Sequence, residues 1–554
     1  MVAARGGRMR DEPQAISSGR RPDALAQPSV REAVFSLFRA FGLTTVFGNP
    51  GSTELPMYRE FPGDFRYVLA LQESIAVGMA DGFAQATRHA ALVNLHSAVG
   101  VGHALGNIFT AYRNQTPLVI TAGQQARSIL PFEPFLYSQQ AAELPRPYVK
   151  WSCEPARAED VPAAIARAFY VAMQAPRGPT FVSIPVDDWD RRCEPLAPRD
   201  VSRDTTADPV LLAAVAATLA TASRPVIVVG AGVARDNAWD EVIALAERHQ
   251  AAVWVSPMSG RNSFPEDHRL FAGFLAADRA RIVESLGGAD FILVLGAPVF
   301  TYHVEGAGPH IPDGAELVQL VDDSAQAAWT PIGRSIVTHL KSGIRALLNG
   351  PPPVTRAAPP LRPRPERLTG LPFADAYLLQ EIAALRPADS VIVEEAPSSR
   401  GPMHDHLPIV NKDGFYTCSS GGLGHGLPAA VGVALARPWA KVIAILGDGS
   451  SMYSIQSLWS AAQLGLNIVF VIVNNRRYEA LHEFARHFSL ERLHGTRLPQ
   501  IDFCGLAEAQ GVAAVRVTRA QDLAAVLKDA FKFTRSLLVE VLLDGADDRR
   551  PEDA

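Results

Sequence analysis

Gly447-Asp448-Gly449-Ser450-Ser451 ends one apolar run, and Asn474-Asn475 ends the next. Between them runs a helical pattern from about residue 454 to 464, with Gly465 placed to stop it. This is one β-α-β unit. Its right-handed crossover brings both run ends to the carboxyl edge of a sheet, where open α/β sheets bind ligands. Asp448 and Asn475 offer hard oxygens of the kind Mg2+ accepts alongside phosphate oxygens and water. Gly447 and Gly449 let the backbone turn tightly, so that amide groups face a phosphate beside Ser450. A lone Gly-Asp-Gly is more often a structural turn; the Asn-Asn on the neighbouring run end makes the pattern specific.

Four further side chains could act on protons or hold a substrate. Glu73 follows the run YVLAL and opens a helical stretch, IAVGMADGFAQAT. By itself it would complement the helix N-terminus, an effect of up to ~1 kcal/mol. Ser52 follows TTVF in GNPGS, His96 follows AALV, and His303 follows FILVLG in VFTYH. Taken singly, Ser52 reads as a helix cap and the histidines as structural residues.

The elements that must position these groups are legible as apolar runs. TTVFG, YVLAL, AALVNL, LVITAG and TFVSIP come first, then PVIVVG, AVWVSP, FILVLG and LVQLV, then SVIVE, KVIAILG, NIVFVIVN and SLLVEVLL. Near-continuous apolar strands alternating with helical patterns predict α/β architecture, with parallel sheets covered on both faces. Proline-rich stretches at 194–209 and 350–366 have the composition of linkers. The reading is three doubly wound parallel-sheet domains: a tail at 1–28, a first domain at 29–200, a central domain at 201–349, the linker at 350–366, and a third domain at 367–548. No short internal repeat is visible.

Composition narrows the class. The chain has 554 residues, 48% hydrophobic and 20% charged, with net charge -5. That implies no polyanion partner, since binding nucleic acid would need a local basic patch, and no nucleic-acid partner is expected. No apolar run approaches the ~20 residues that cross a bilayer. The first 30 residues carry Arg5, Arg8, Arg10, Arg20 and Arg21 but no apolar core, unlike a secretory signal. Four scattered cysteines without paired spacing fit a cytoplasmic protein.

Gly-Asp-Gly to Asn-Asn, with Glu73 after its strand, resembles the thiamine-diphosphate-dependent decarboxylase family. The likeness extends over nearly the whole chain from about residue 29, in GNPGSTELP, RYVLALQE, LPRPYVKWS, VDDWD and GAPVFTYH. It implies pyrimidine-binding, central and diphosphate-binding domains, with thiamine diphosphate and Mg2+ as cofactors. Asp448, Asn475 and the Arg477 carbonyl would hold the metal against the diphosphate, with Tyr478 and Ser398 nearby. Glu73 would hydrogen-bond the aminopyrimidine so that the ring takes the thiazolium C2 proton. The Gly421 carbonyl would accept from the amino group, with Gly422 beside it and Leu423 bending the cofactor. Ser52 would position the substrate carboxylate, His96 serve addition and protonation, and His303 support proton transfer. Leu136 and Phe484 would hold an aromatic ring.

The implied reaction is non-oxidative decarboxylation of an aromatic 2-keto acid, benzoylformate leading, by a carboxy-lyase. It would work as a homo-oligomer, a dimer of dimers with active sites at subunit interfaces. Carboligation onto a second aldehyde is one alternative, and an inactive homologue serving as a partner protein is another. No His-His pair like that of pyruvate decarboxylases occurs, and Gly230-Ala231-Gly232 lacks the third glycine of a dinucleotide fingerprint, which favours a structural turn. Four positions depart from the family pattern. Glu479 follows Tyr478 where glycine is common, predicting strain if φ is positive there. The neighbouring Arg476-Arg477 is unusual, and His425 stands where an apolar or aromatic residue is expected.

Overall fold

Every apolar run quoted above becomes a strand, with ends shifted by one or two residues. The computed structural model describes residues 27–370 and 372–544; the basic stretch read as a tail lies, up to residue 26, outside them. The first sheet contains β1 (Thr45–Gly48), β2 (Arg66–Leu69), β3 (Ala91–Leu95), β4 (Leu118–Gln124), β5 (Ser152–Cys153) and β6 (Pro179–Pro185). The central sheet contains β7 (Pro225–Val229), β8 (Ala252–Val255), β9 (Phe271–Phe274), β10 (Phe291–Leu295), β11 (Glu316–Val321) and β12 (Arg334–Val337). The third contains β13 (Val391–Glu395), β14 (Phe415–Thr417), β15 (Val442–Gly447), β16 (Ile468–Asn474), β17 (Ala513–Val517) and β18 (Leu537–Leu542).

The strands of all three sheets pair in parallel. The first sheet runs β2-β1-β3-β4-β6-β5 and the third runs β14-β13-β15-β16-β18-β17, the same order counted from each sheet's start. The central sheet runs β12-β11-β10-β7-β8-β9. Five strands escaped the apolar-run reading: β5, β9, β12, β14 and β17. Each lies at a sheet edge.

The helix expected over about 454–464 is instead two, Asp448–Met452 and Ser457–Gln463. Asp448 therefore starts a helix directly at the end of β15, rather than sitting in a turn ahead of one. Gly230 and Gly232 lie at the start of a short helix, Ala231–Arg235, where a turn was expected. An added Cβ at either would press into the Gly296-Ala297 backbone.

The first and third sheets share one apolar core, running from Phe47 and Val68 through Leu427 to Phe470 and Leu538. Its seam is the Glu73–Thr87 helix laid on the Gly426–Ala436 helix. Gly82 faces the Ala429 carbonyl and Gly432 faces the Met79 carbonyl so closely that a Cβ at either would overlap it. The central sheet has cores of its own. Among the described residues, no helix is long and apolar enough to cross a membrane.

Candidate active site

A cavity of about 460 Å³ opens at the carboxyl ends of β13, β15 and β16. Gly447, Asp448, Gly449 and Ser450 line it from β15 and the helix beyond, and Asn475, Arg477 and Tyr478 from the loop after β16. Ser398, Gly421, Gly422 and Leu423 close another side, and His303 reaches it from the central domain. The loop is braced from outside, since the Tyr478 N–H donates to the Thr496 carbonyl at 2.8 Å and the Leu498 N–H to the Arg476 carbonyl at 2.7 Å. Gly449 has no room for a side chain because the Tyr478 ring occupies that space.

Asp448 is the electrostatic centre of this wall. Its Oδ1 accepts the Gly449 N–H at 2.7 Å, while Oδ2 is buried and, among the described residues, has no hydrogen-bond partner. Burial pushes its carboxyl up to about 6. A dry, unpaired carboxylate oxygen is costly unless a cation meets it. Asn475 faces the same cavity, with its Oδ1 accepting the Arg477 N–H at 3.1 Å. One carboxylate, one amide oxygen and one backbone carbonyl make an all-oxygen donor set that suits Mg2+ completed by phosphate. Among the described residues, no three His, Cys, Asp or Glu side chains gather as a metal site.

The strain expected at Glu479 is not there. Arg476 takes the left-handed backbone, with φ 58°, while Glu479 is the first residue of the Glu479–His487 helix and pairs with Arg477. The turn falls immediately after the Asn pair, so left-handed geometry is needed three residues earlier than supposed.

Glu395, at the end of β13, was not foreseen. It is 2% exposed, accepts the Gly424 N–H at 2.5 Å and also takes the Gly426 N–H. Gly421 and Gly424 have φ of 72° and 96°, values that favour glycine. Burial raises the Glu395 carboxyl to about 7. Because the folded value lies above the unfolded one, its contribution to stability is full below about 4.5 and lost as pH rises through 7, about 3 kcal/mol across that window. Glu395→Gln is expected to flatten that part of the apo-protein's stability–pH profile. Urea melts from pH 4.5 to 7.5 check it, and an unchanged slope would refute the assignment.

A second cluster forms at the carboxyl edge of the first sheet. Ser52–Glu54 make a short helical turn after β1, with Gly51 as its cap, so Ser52 is not the cap residue itself. Glu54 is 1% exposed, and its Oε1 accepts the Gly123 N–H at 2.9 Å. Its Oε2 accepts the Gly51 N–H at 2.9 Å and faces His96 Nδ1 at 2.8 Å. A carboxylate on Nδ1 makes that nitrogen the donor and leaves Nε2 as the working edge. Gly51 lies so close to the His96 ring that a Cβ would overlap it, and the exposed Ser52 is its neighbour in the chain.

Glu73 is the first residue of its helix, whose cap is the Gln72 side chain accepting from the Ile75 N–H. Glu73 Oε2 lies 3.1 Å from His103 Nδ1. Leu136 sits at φ 62°, its carbonyl accepting the Ser97 hydroxyl at 2.5 Å.

Within one chain the predicted residues therefore divide. Ser52, Glu73, His96 and Leu136 belong to the first-domain cluster, and none of them lines the 460 Å³ cavity. Phe484 packs its ring against His303, centroids 4.7 Å apart, on the cavity side. The two residues expected to hold one aromatic ring, Leu136 and Phe484, are thus on different half-sites. Exposed apolar side chains surround both: Leu55, Leu71, Val99, Phe132 and Phe135 on one, Tyr453, Leu481 and Phe488 on the other. Glu54 and Glu395 could have been found from sequence. The first stands three residues after Gly51, at capping spacing, and the second ends an apolar strand where a carboxylate needs a buried partner.

A glycine-cradled aspartate, its asparagine partner and paired parallel sheets of like order define a thiamine pyrophosphate enzyme, and the chain belongs to that family. Residues 28–142, 212–347 and 398–541 match its N-terminal TPP binding, central and C-terminal TPP binding domains. The chain is 43% identical over 519 residues to a benzoylformate decarboxylase of Pseudomonas aeruginosa, covering 93% of this chain and 98% of the relative. It is similar to the solved thiamine diphosphate-dependent 4-hydroxybenzoylformate decarboxylase of Rhodococcus jostii RHA1, at 40% identity and TM-score 0.91, over 94% of this chain and 100% of that one. A benzoylformate decarboxylase from Polynucleobacter necessarius matches at 38% identity and TM-score 0.90, over 93% and 98%.

Proposed function

We propose that this chain decarboxylates an aromatic 2-keto acid, benzoylformate first among them, to the aldehyde and carbon dioxide, using thiamine diphosphate and Mg2+. The observation that carries the reading is His96 held at Nδ1 by buried Glu54, beside Ser52. It sits in a chain whose relatives at 38–43% identity are named for this substrate type.

Asp448, Asn475 and the Arg477 carbonyl would hold the metal, and the Gly449 backbone, Ser450, Ser398 and Tyr478 the diphosphate. Leu423 and the Gly421 carbonyl would support the rings. When bound, thiamine supplies the electron sink that lets carbon dioxide leave. Glu73 would hydrogen-bond the aminopyrimidine ring of the bound cofactor. Ser52 donates to the substrate carboxylate and fixes its orientation. His96 moves protons through Nε2 while Glu54 keeps the ring from turning. His303, backed by Phe484, is the second proton carrier, and Leu136 and Phe484 flank the aromatic ring.

This division of labour needs two copies of the chain, the first-domain cluster of one set against the cavity of the other. Exposed apolar residues around both half-sites support that arrangement, since such patches mark association surfaces. We read the assembly as a dimer of dimers.

The test is benzoylformate turnover with and without thiamine diphosphate and Mg2+, beside pyruvate and phenylpyruvate. Benzaldehyde formed only with both cofactors, and from benzoylformate in strong preference, is the expected result. Cofactor binding without turnover of any of the three acids would keep the family and remove the substrate.

A further inference from the structure

The loop 419–425 carries Gly421, Gly422 and Leu423 to the cavity, and its two ends are gripped by the first domain of the same chain. At one end the Ser419 N–H donates to Asn114 Oδ1 at 2.9 Å, and the Ser420 hydroxyl meets Thr110 Oγ1 at 2.8 Å. At the other, Asn107 Nδ2 donates to the Gly424 carbonyl at 3.3 Å, and His425 Nε2 pairs at 2.5 Å with Asp81 Oδ2.

His425 and Asp81 are 1% and 0% exposed. The same Asp81 Oδ2 also accepts from Gln85 Nε2 at 2.7 Å and Asn114 Nδ2 at 3.1 Å, so three donors converge on that one oxygen. A charged pair in so dry a place is a poor source of stability and a good source of fixed geometry. Each partner favours the other's charged form, the imidazole being shifted up and the carboxyl down. The Glu73–Thr87 helix carries Asp81 eight residues after Glu73, about 12 Å along the same rod.

We propose that the Asp81–His425 pair, with Thr110 at the far end, positions the Gly421–Leu423 segment for the cofactor and does so through the helix that bears Glu73. This rests on the thiamine reading above. It also assigns a purpose to a histidine that stands where the pattern asks for an apolar residue.

The experiment uses full-length Asp81→Asn, Asp81→Asn/His425→Phe and Thr110→Val proteins. Thermal melting of the apo-proteins and thiamine diphosphate affinity in Mg2+, by calorimetric titration, are the two readouts. Asp81→Asn is expected to lower both, because it removes the carboxylate that the buried His425 ring pairs with. The double variant should regain most of the melting temperature, since the ring that required the carboxylate is gone as well, yet bind the cofactor about tenfold more weakly than wild type. Thr110→Val should weaken binding a few-fold with little change in melting, and it serves if either Asp81 variant fails to fold. Cofactor affinity restored together with melting in the double variant, or unchanged in Thr110→Val, would overturn the proposal. No binding by the wild-type protein would instead remove the thiamine reading beneath it.

Discussion

Glu73→Gln is expected to cut kcat for benzoylformate by about two to four orders of magnitude, the usual span for losing a positioned acid–base group. Affinity for thiamine diphosphate should change only a few-fold. The reason is spatial: Glu73 belongs to the first-domain cluster, while the metal and diphosphate wall is built from β15, β16 and the loops beyond them. Glutamine keeps the size and a hydrogen-bonding head but has no proton to share with the ring. Steady-state kinetics with a parallel cofactor titration separate the two effects. A kcat within a factor of ten of wild type would show that another group does this work.

Asp448→Asn should act in the opposite sense on the two forms of the protein. The buried Asp448 carboxyl is raised from 3.8 to about 6, so its contribution to stability is lost as pH rises through that window. At pH 7.5 the metal-free protein carries that desolvation in full, about 3 kcal/mol. The neutral amide escapes it, although its own buried N–H gives part of the gain back. The apo-variant should melt at or above the wild type. With Mg2+ and thiamine diphosphate the order should reverse, because the carboxylate proposed to hold the metal is gone. Wild type gains about 2.7 kcal/mol at a ligand concentration of roughly 100 times Kd, and the variant should gain almost nothing. Melts of both proteins with and without the cofactors decide it. Equal ligand-induced shifts would mean that Asp448 is not a ligand.

The strands that sequence revealed and those it hid differ in their neighbours. Central strands such as β4, β10 and β16 are buried on both faces and spell continuous apolar runs. Edge strands such as β17, with the pattern AAVRV, and β9, which is FAGF, have only one neighbour and tolerate polar or small residues. The shared strand order of the first and third sheets left no sequence repeat, because order depends on connections rather than on residue identity. At the site, residues on strand ends were legible from spacing, and the 460 Å³ cavity gathers those proposed to hold the metal and diphosphate. Glu54 carried a local signal in its capping spacing from Gly51, but its other partners, Gly123 and His96, are distant in sequence. Glu479 misled because residue identity shows that some position needs a left-handed backbone without showing which.

The common core of the outer two sheets has a consequence for how the chain comes off the ribosome. The seam helix at Gly426–Ala436 is made long after β6 completes the first sheet, roughly 240 residues later, or about 10–50 s at usual translation rates. Through that interval the glycine-and-alanine face of the Glu73–Thr87 helix has no cover, while the central sheet, with a core of its own, can close at once. The nascent chain thus holds a finished middle and an unfinished beginning. The bare helix face is where a chaperone would be expected to sit until the C-terminal third arrives.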